Sequence, residues 1–378
     1  MSQRYFATTL PGFEDELADE VKAIGGRKIE KVTGGVEFDA THRVFYRANY
    51  ELRCANRVFL RVDEFRARDF PELYNKTRRY SWERLLSGAN RVFVRGAARE
   101  SHLMHSDRIS DTVGHGLREH FEDDLKVAAP QIIDKIDGSA QLVLARLNDD
   151  RCELSLDSSG EHLYKRGWRQ HAVEAPIRET TAAALLIRSG WVHRKPLVDP
   201  FCGSGTFLVE GAWLANKRAP GDMRDFAFQR WANFRQPLWD DVVNCGRQRT
   251  HACEAVRFYG FDANPDAVQA ARQNAELAGV RGCAEIRQAD ISEFLPPCEA
   301  AGTVIANPPY GERLTQGSGP RKAYQILIDR FAEHFQGWRL ALLLPSDITP
   351  NHPSLRFKED IRFQNGGIRV RFWLARHR

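Results

Sequence analysis

The chain has 378 residues, 42% hydrophobic and 28% charged, which suits two or three globular domains and excludes a disordered or low-complexity protein. No apolar run approaches the ~18 residues of a membrane span, and Met1-Ser2-Gln3-Arg4-Tyr5 leads straight into strand-like sequence without a signal-peptide core, so no membrane partner is expected. The net charge of +5 is modest, and the seven cysteines (54, 152, 202, 245, 253, 283, 298) are scattered without a CxxC pair, which predicts reduced thiols, no bound metal and a cytoplasmic location.

The first forty residues read as strand, helix and hairpin. Arg4 to Thr8 is strand-like, Phe13, Leu17, Val21 and Ile24 form a helical stripe, and Gly34-Gly35 turns a hairpin over 29–38. Residues 42–61 predict a helix followed by a strand, Trp82 to Leu86 a short helix, and Arg91 to Arg95 a half-buried strand. Ile109, Val113, Leu117 and Phe121 mark a helix over 106–121, and Asn148-Asp149-Asp150 joins two strands over 141–156. Short elements in this order suggest a small α+β module. Between Arg43 and Arg99 it carries fourteen Lys or Arg against six Asp or Glu, interleaved with Phe45, Tyr46, Tyr50, Phe59, Phe65, Phe70, Tyr74, Tyr80 and Trp82. Nucleic-acid contact needs such a combination, with phosphates neutralised by Arg and bases stacked on rings. The competing reading has the aromatics filling a core beneath solvated arginines.

From Pro176 strands alternate with helices. An apolar helix over 177–189 precedes the strand 196–200, and helix 207–215 follows it. Strand 258–262 is followed by helix 265–278, strand 284–288, strand 302–306, helix 323–335 and strand 338–344. Asn365-Gly366-Gly367 turns a final hairpin with 368–374 as its outgoing arm. Successive βα units give a doubly wound parallel sheet. Residues 216–255, with Trp231, Phe234 and Trp239, interrupt the rhythm as an elaboration.

Four segments carry chemistry. In Asp199-Pro-Phe-Cys-Gly-Ser-Gly-Thr206 a glycine loop joins strand to helix, which lets a ligand approach the backbone and meet helix N–H groups. It has no Gly-Lys-Ser/Thr and no third glycine at the dinucleotide spacing, so a ligand without a pyrophosphate fits, gripped through an amino-acid part with Asp199 near its positive charge. S-adenosylmethionine is such a ligand, and Asp199, Phe201, Gly203, Gly205 and Thr206 are the candidate contacts. Asp262, with Ala263 after it, ends the next strand where a carboxylate can take ribose hydroxyls. Asp290, followed by Ile291, ends the strand after that, either to accept from an adenine amine or to cap a helix.

The fourth segment is Asn307-Pro308-Pro309-Tyr310 at the end of the following strand. An exocyclic base amine is a weak nucleophile because its lone pair is delocalised into the ring. The Asn307 amide oxygen and the Pro308 carbonyl can each accept one of its N–H bonds and aim the nitrogen at a methyl donor, while Tyr310 offers a face for stacking. Asn307 counts towards both the catalytic and the cofactor contacts.

Pro176-Ile-Arg-Glu-Thr-Thr-Ala182, Asp199 to Thr206, Gly260-Phe-Asp262, Gln288-Ala-Asp290 and Asn307 to Arg313 resemble the class I methyltransferase domain of THUMP-bearing large-subunit ribosomal RNA guanine-N2 methyltransferases. Upstream, Leu154-Ser-Leu-Asp-Ser-Ser-Gly160 and Leu163-Tyr-Lys-Arg-Gly-Trp-Arg169 resemble that family's junction. The resemblance implies an α/β fold with a Rossmann-like, doubly wound methyltransferase sheet and an N-terminal α+β region. Its expected parts are a ferredoxin-like segment over 1–42, a THUMP RNA-binding domain over 43–157, a linker over 158–175 and a catalytic domain over 176–378. It implies methylation of guanine N2 in 23S ribosomal RNA; some relatives carry a second methyltransferase domain, which a chain ending at Arg378 is expected to lack. The rivals are guanine N2 of transfer RNA, adenine N6 of a nucleic acid, and an RNA-binding assembly factor without catalysis.

Overall fold

The computed structural model describes residues 2–171, 176–253, 255, 257–309 and 320–378, and within these the chain divides into two units. The first comprises residues 1–9, 17–163 and 224–244; the second comprises 10–16, 164–223 and 245–378.

The first unit is built on an eight-stranded sheet. Its elements are β1 (Gln3–Thr8), α1 (Glu14–Ala23), β2 (Arg27–Val32), β3 (Gly35–Ala40), α2 (His42–Glu51), β4 (Arg57–Arg66), α3 (Phe70–Arg79), β5 (Arg91–Arg99), α4 (Ser106–Glu119), β6 (Gln131–Ile132), β7 (Gln141–Asn148) and β8 (Arg151–Asp157). The strand order is β2-β3-β1-β4-β8-β7-β5-β6. The expected hairpins form, with Val32 opposite Gly35 and Asn148 opposite Arg151. Helix α3 escapes the periodicity reading because only Leu73 and Thr77 of its ten residues are buried; its start is set instead by Asp69, whose Oδ1 accepts the Glu72 N–H at 2.8 Å.

Most of the aromatics singled out in this unit are not free to stack on bases, whereas Phe65, Tyr74 and Tyr80 are only partly buried. Phe45, Tyr46, Tyr50, Phe59 and Trp82 are core residues. Phe70 lies under the Arg108 guanidinium at 4.0 Å, an intramolecular cation–π contact. Residues 224–244, expected as an elaboration of the parallel sheet, belong to this unit instead. The reason is aromatic packing: Trp231 stacks on Phe45 at 5.5 Å, Phe228 on Tyr46 at 4.7 Å, and Trp239 meets Tyr50 edge-on at 5.6 Å. Two hydrogen bonds fix the register, from Trp231 Nε1 to Gln141 Oε1 at 2.9 Å and from the Arg235 N–H to Tyr46 Oη at 2.9 Å.

The junction segment Leu154–Gly160 has a structural role in this unit. Ser158 and Ser159, both buried, bond Asn49 of α2, and Ser159 Oγ also accepts the Val58 N–H at 2.8 Å. Asp157, buried against Arg57, has its carboxyl pushed up to about 6 by desolvation.

The second unit holds α5 (Glu179–Arg188), β9 (Leu197–Asp199), α6 (Thr206–Ala215), α7 (Gln236–Gln248, shared with the first unit), β10 (Phe258–Asp262), α8 (Pro265–Leu277), β11 (Ala284–Gln288), β12 (Thr303–Ala306), α9 (Pro320–His334), β13 (Arg339–Pro345), β14 (Leu355–Asn365) and β15 (Ile368–His377). The strand order is β11-β10-β9-β12-β13-β15-β14, with the first five parallel and β15 antiparallel to both neighbours. Buried Val304, Leu340 and Leu342 pack against Leu327, Phe331 and Phe335, so one sheet face is closed by α9. Contrary to the expectation of reduced thiols throughout, Cys253 and Cys283 are joined in a disulfide. Among the described residues no helix is long and apolar enough to cross a membrane, and no group of three or more His, Cys, Asp or Glu is arranged to hold a metal ion.

Candidate active site

In a doubly wound sheet the ligand crevice opens at the carboxyl ends of the strands, where the strand order reverses. Here that point lies beside β9, between β10 and β12, and a cleft of about 460 Å³ opens there. The expected Asp199, Phe201, Gly203, Thr206, Asp262, Ala263, Asp290, Ile291 and Asn307 all line it. Gly205 and Pro308 do not; Pro309 does, and Tyr310 lies outside the described residues.

The glycine loop is shaped by two left-handed residues, Gly203 at φ 50° and Gly205 at φ 85°, a region costly for residues with a Cβ. Gly260 on β10 has a different task. A Cβ there would lie 2.4 Å from Leu208 Cδ1 and 3.2 Å from Cys202 Sγ, so its absence lets the loop and α6 close onto the strand. The Cys202 N–H then donates to the Phe261 carbonyl at 2.9 Å, and the Gly203 N–H to Asp262 Oδ2 at 3.0 Å.

Each acidic strand end uses only part of its acceptor capacity. Asp199 is buried, with Oδ1 accepting the Phe201 N–H at 3.1 Å; burial pushes its carboxyl up to about 8, and the nearby Asp262 charge adds to this. Asp262 takes Gly203 N–H on one oxygen and Asn264 N–H, at 2.9 Å, on the other, leaving lone pairs on both for a ligand. Asp290 does cap a short turn: its Oδ1 accepts from the Ser292 N–H at 2.8 Å and hydroxyl at 2.7 Å, which hold its carboxyl below the ordinary range. Its Oδ2 remains for an amine donor. Among the described residues, Asn307 Oδ1 is buried and has no hydrogen-bond partner. A buried acceptor without a partner costs about 1–3 kcal/mol, and Asn307, which lines the cleft, keeps one there.

Two loop-holding residues were not legible as such in sequence. Arg169, in the junction segment, donates to Thr206 Oγ1 at 2.7 Å and to the Ile177 carbonyl at 3.1 Å, and pairs with buried Glu179 at 3.2 Å. Asn274 of α8 donates to the Ser204 carbonyl at 3.0 Å and to the His171 carbonyl at 2.7 Å. No spacing rule connects residues this far apart in sequence. The Thr206 hydroxyl is thereby engaged with Arg169, so its part in the site includes holding the loop itself.

A family model described as the RMKL-like methyltransferase domain matches residues 166–361. The chain belongs to that family. A ferredoxin-like domain model matches 4–59 and a THUMP domain model 67–157. A ribosomal RNA large subunit methyltransferase K/L of Syntrophotalea carbinolica is 33% identical over 97% of this chain and 53% of its own length. A putative RNA methyltransferase of Synechocystis is 29% identical over 96% of this chain and 94% of its own. The chain thus spans about half the length of the K/L relatives it matches. The crystal structure of a putative methyltransferase complexed with S-adenosylhomocysteine superposes with a TM-score of 0.87 at 28% identity, covering 100% of this chain and 98% of the other. A predicted N6-adenine-specific DNA methylase from Listeria monocytogenes superposes at 0.86 and 27% identity, covering 98% and 96%. The expected methyltransferase sheet and the ferredoxin-like and THUMP modules are therefore features of this RMKL-like chain.

Proposed function

We propose that this chain transfers a methyl group from S-adenosylmethionine to the exocyclic N2 of a guanine in 23S ribosomal RNA, in the cytoplasm. The observation that carries the reading is the unpartnered, buried Asn307 Oδ1 in a cleft shared with three acidic strand ends. The domain organisation we propose keeps the order ferredoxin-like segment, RNA-binding module and catalytic domain, with boundaries near 42, 157 and 175.

The residues of the cleft fit the cofactor. Asp199 and the turn through Gly203 and Gly205 would seat its methionine part, Asp262 its ribose and Asp290 its adenine amine. When bound, S-adenosylmethionine supplies a methyl group already activated on a sulfonium. Asn307 Oδ1 and the Pro308 carbonyl accept the two N–H bonds of the target amine and fix its direction. The adjoining prolines hold these acceptors in place, and Tyr310 would stack on the base. No strong base is required, because the amine becomes acidic as it is methylated and loses its proton to water. A base inside a helix must first be unstacked, so a flipped or single-stranded guanine is the expected target.

The test is methyl transfer from labelled S-adenosylmethionine to 23S ribosomal RNA, followed by nucleoside analysis. N2-methylguanosine is expected, with Asn307→Ala losing at least about 100-fold in kcat, the scale of one lost preorganised contact, while still binding RNA. N6-methyladenosine alone overturns the base assignment, and absence of cofactor binding overturns the enzyme assignment. The adenine reading has one observation in its favour, since Asn307-Pro308-Pro309 orients any planar amine.

A further inference from the structure

We propose that a basic pocket at the opposite end of the second unit's sheet, away from the cofactor cleft, binds successive phosphates of an RNA strand; the proposal rests on the RNA reading above. A cavity of about 390 Å³ opens near the starts of β12 and β13, with Arg339, Arg356, Lys358 and Arg376 around a floor that includes Ala341 and Leu374. All four cations are exposed, and among the described residues none of them has an ion pair. The neighbouring carboxylates are committed elsewhere: Asp360 to Arg188 at 2.7 Å, and Glu359 to Arg362 and Arg371.

The register sharpens the point. Arg356 stands directly opposite Arg376 across the β14–β15 ladder, and like charges in that position destabilise a sheet. Charged side chains on an edge strand also serve to block strand-to-strand aggregation. That explanation covers Arg356 and Lys358 on the edge strand β14, and Arg339 on β13 also donates to the Gly190 carbonyl at 2.9 Å, but neither accounts for Arg376 on the interior strand β15. An anion in the cavity relieves the repulsion for all four. Arg356 and Lys358 are two residues apart on one strand and so about 7 Å apart, a spacing that meets successive charges of a chain better than a single compact anion.

The test is the salt dependence of binding to a fluorescein-labelled 20-nucleotide oligouridylate, read by anisotropy for the full chain and for the triple variant R356Q/K358Q/R376Q. Each phosphate contact adds about 0.7 to the slope of log affinity against log salt for a single strand, so the triple variant should lose about 2. Between about 50 and 200 mM salt this reduces the wild-type loss of affinity by roughly 20-fold. S-adenosylmethionine binding by calorimetry should be unchanged. If the triple variant fails that check, K358Q alone, on the edge strand, should lower the slope by about 0.7. An unchanged slope in a variant that binds cofactor overturns the proposal and leaves the pocket to a non-RNA acidic partner. Failure of the wild type to bind the oligonucleotide overturns the RNA reading itself, a distinct result.

Discussion

Asp199 makes the stability of the cofactor-free protein depend on pH in a direction opposite to that of an ordinary salt-bridged aspartate. Its carboxyl is fully buried and its pKa is pushed from 3.8 to about 8, first by desolvation and further by Asp262. Between those values the folded protein holds a proton that the unfolded chain releases. The stabilisation is therefore complete below about pH 4 and is lost as pH rises through about 8. From pH 6 to pH 9 the loss is about 2–3 kcal/mol, two pH units at ~1.4 kcal/mol each. Asp199→Asn keeps the acceptor for the Phe201 N–H and removes the titration. Urea midpoints at pH 6 and pH 9, without cofactor, should show the wild type weakening by about 2 kcal/mol more than the variant. Glu179 and Asp157, raised to about 7 and about 6 by burial, contribute a drift of the same sign to both proteins and cancel in the comparison. Equal pH dependence in wild type and variant would refute the assignment. Cofactor binding gives a second reading, because a cationic ligand favours the ionised carboxylate: wild-type affinity should climb through pH 8, and that of the variant should not.

Asn274→Ala removes the bonds holding the glycine loop at Ser204 and the chain at His171, so cofactor affinity should fall about tenfold, with stability lower by about 1–3 kcal/mol, while kcat at saturation changes little. An unchanged cofactor Kd would leave Asn274 a purely structural residue. Trp231→Ala empties a buried site stacked on Phe45 and strands Gln141, and should cost about 3–5 kcal/mol in a urea titration. A cost below about 1 kcal/mol would mean that 224–244 is not part of that core.

The sequence by itself determined the parallel strand–helix rhythm, the hairpins at Gly34-Gly35 and Asn365-Gly366-Gly367, and the acidic strand ends. Those signals are local: period, turn chemistry and position along a strand are carried by neighbouring residues. The glycine loop and the place of Asn307 were legible for the same reason, since each follows directly on the end of one strand. Tertiary structure decided the rest. It turned Phe45, Tyr46 and Tyr50 inward, because Phe228, Trp231 and Trp239, nearly two hundred residues later, are their packing partners. It showed that Arg169 and Asn274 hold the glycine loop, and that Arg339, Arg356, Lys358 and Arg376 share one cavity. Each of these depends on contacts between residues far apart in the chain, and hydrophobic periodicity does not encode which distant partner a face will meet.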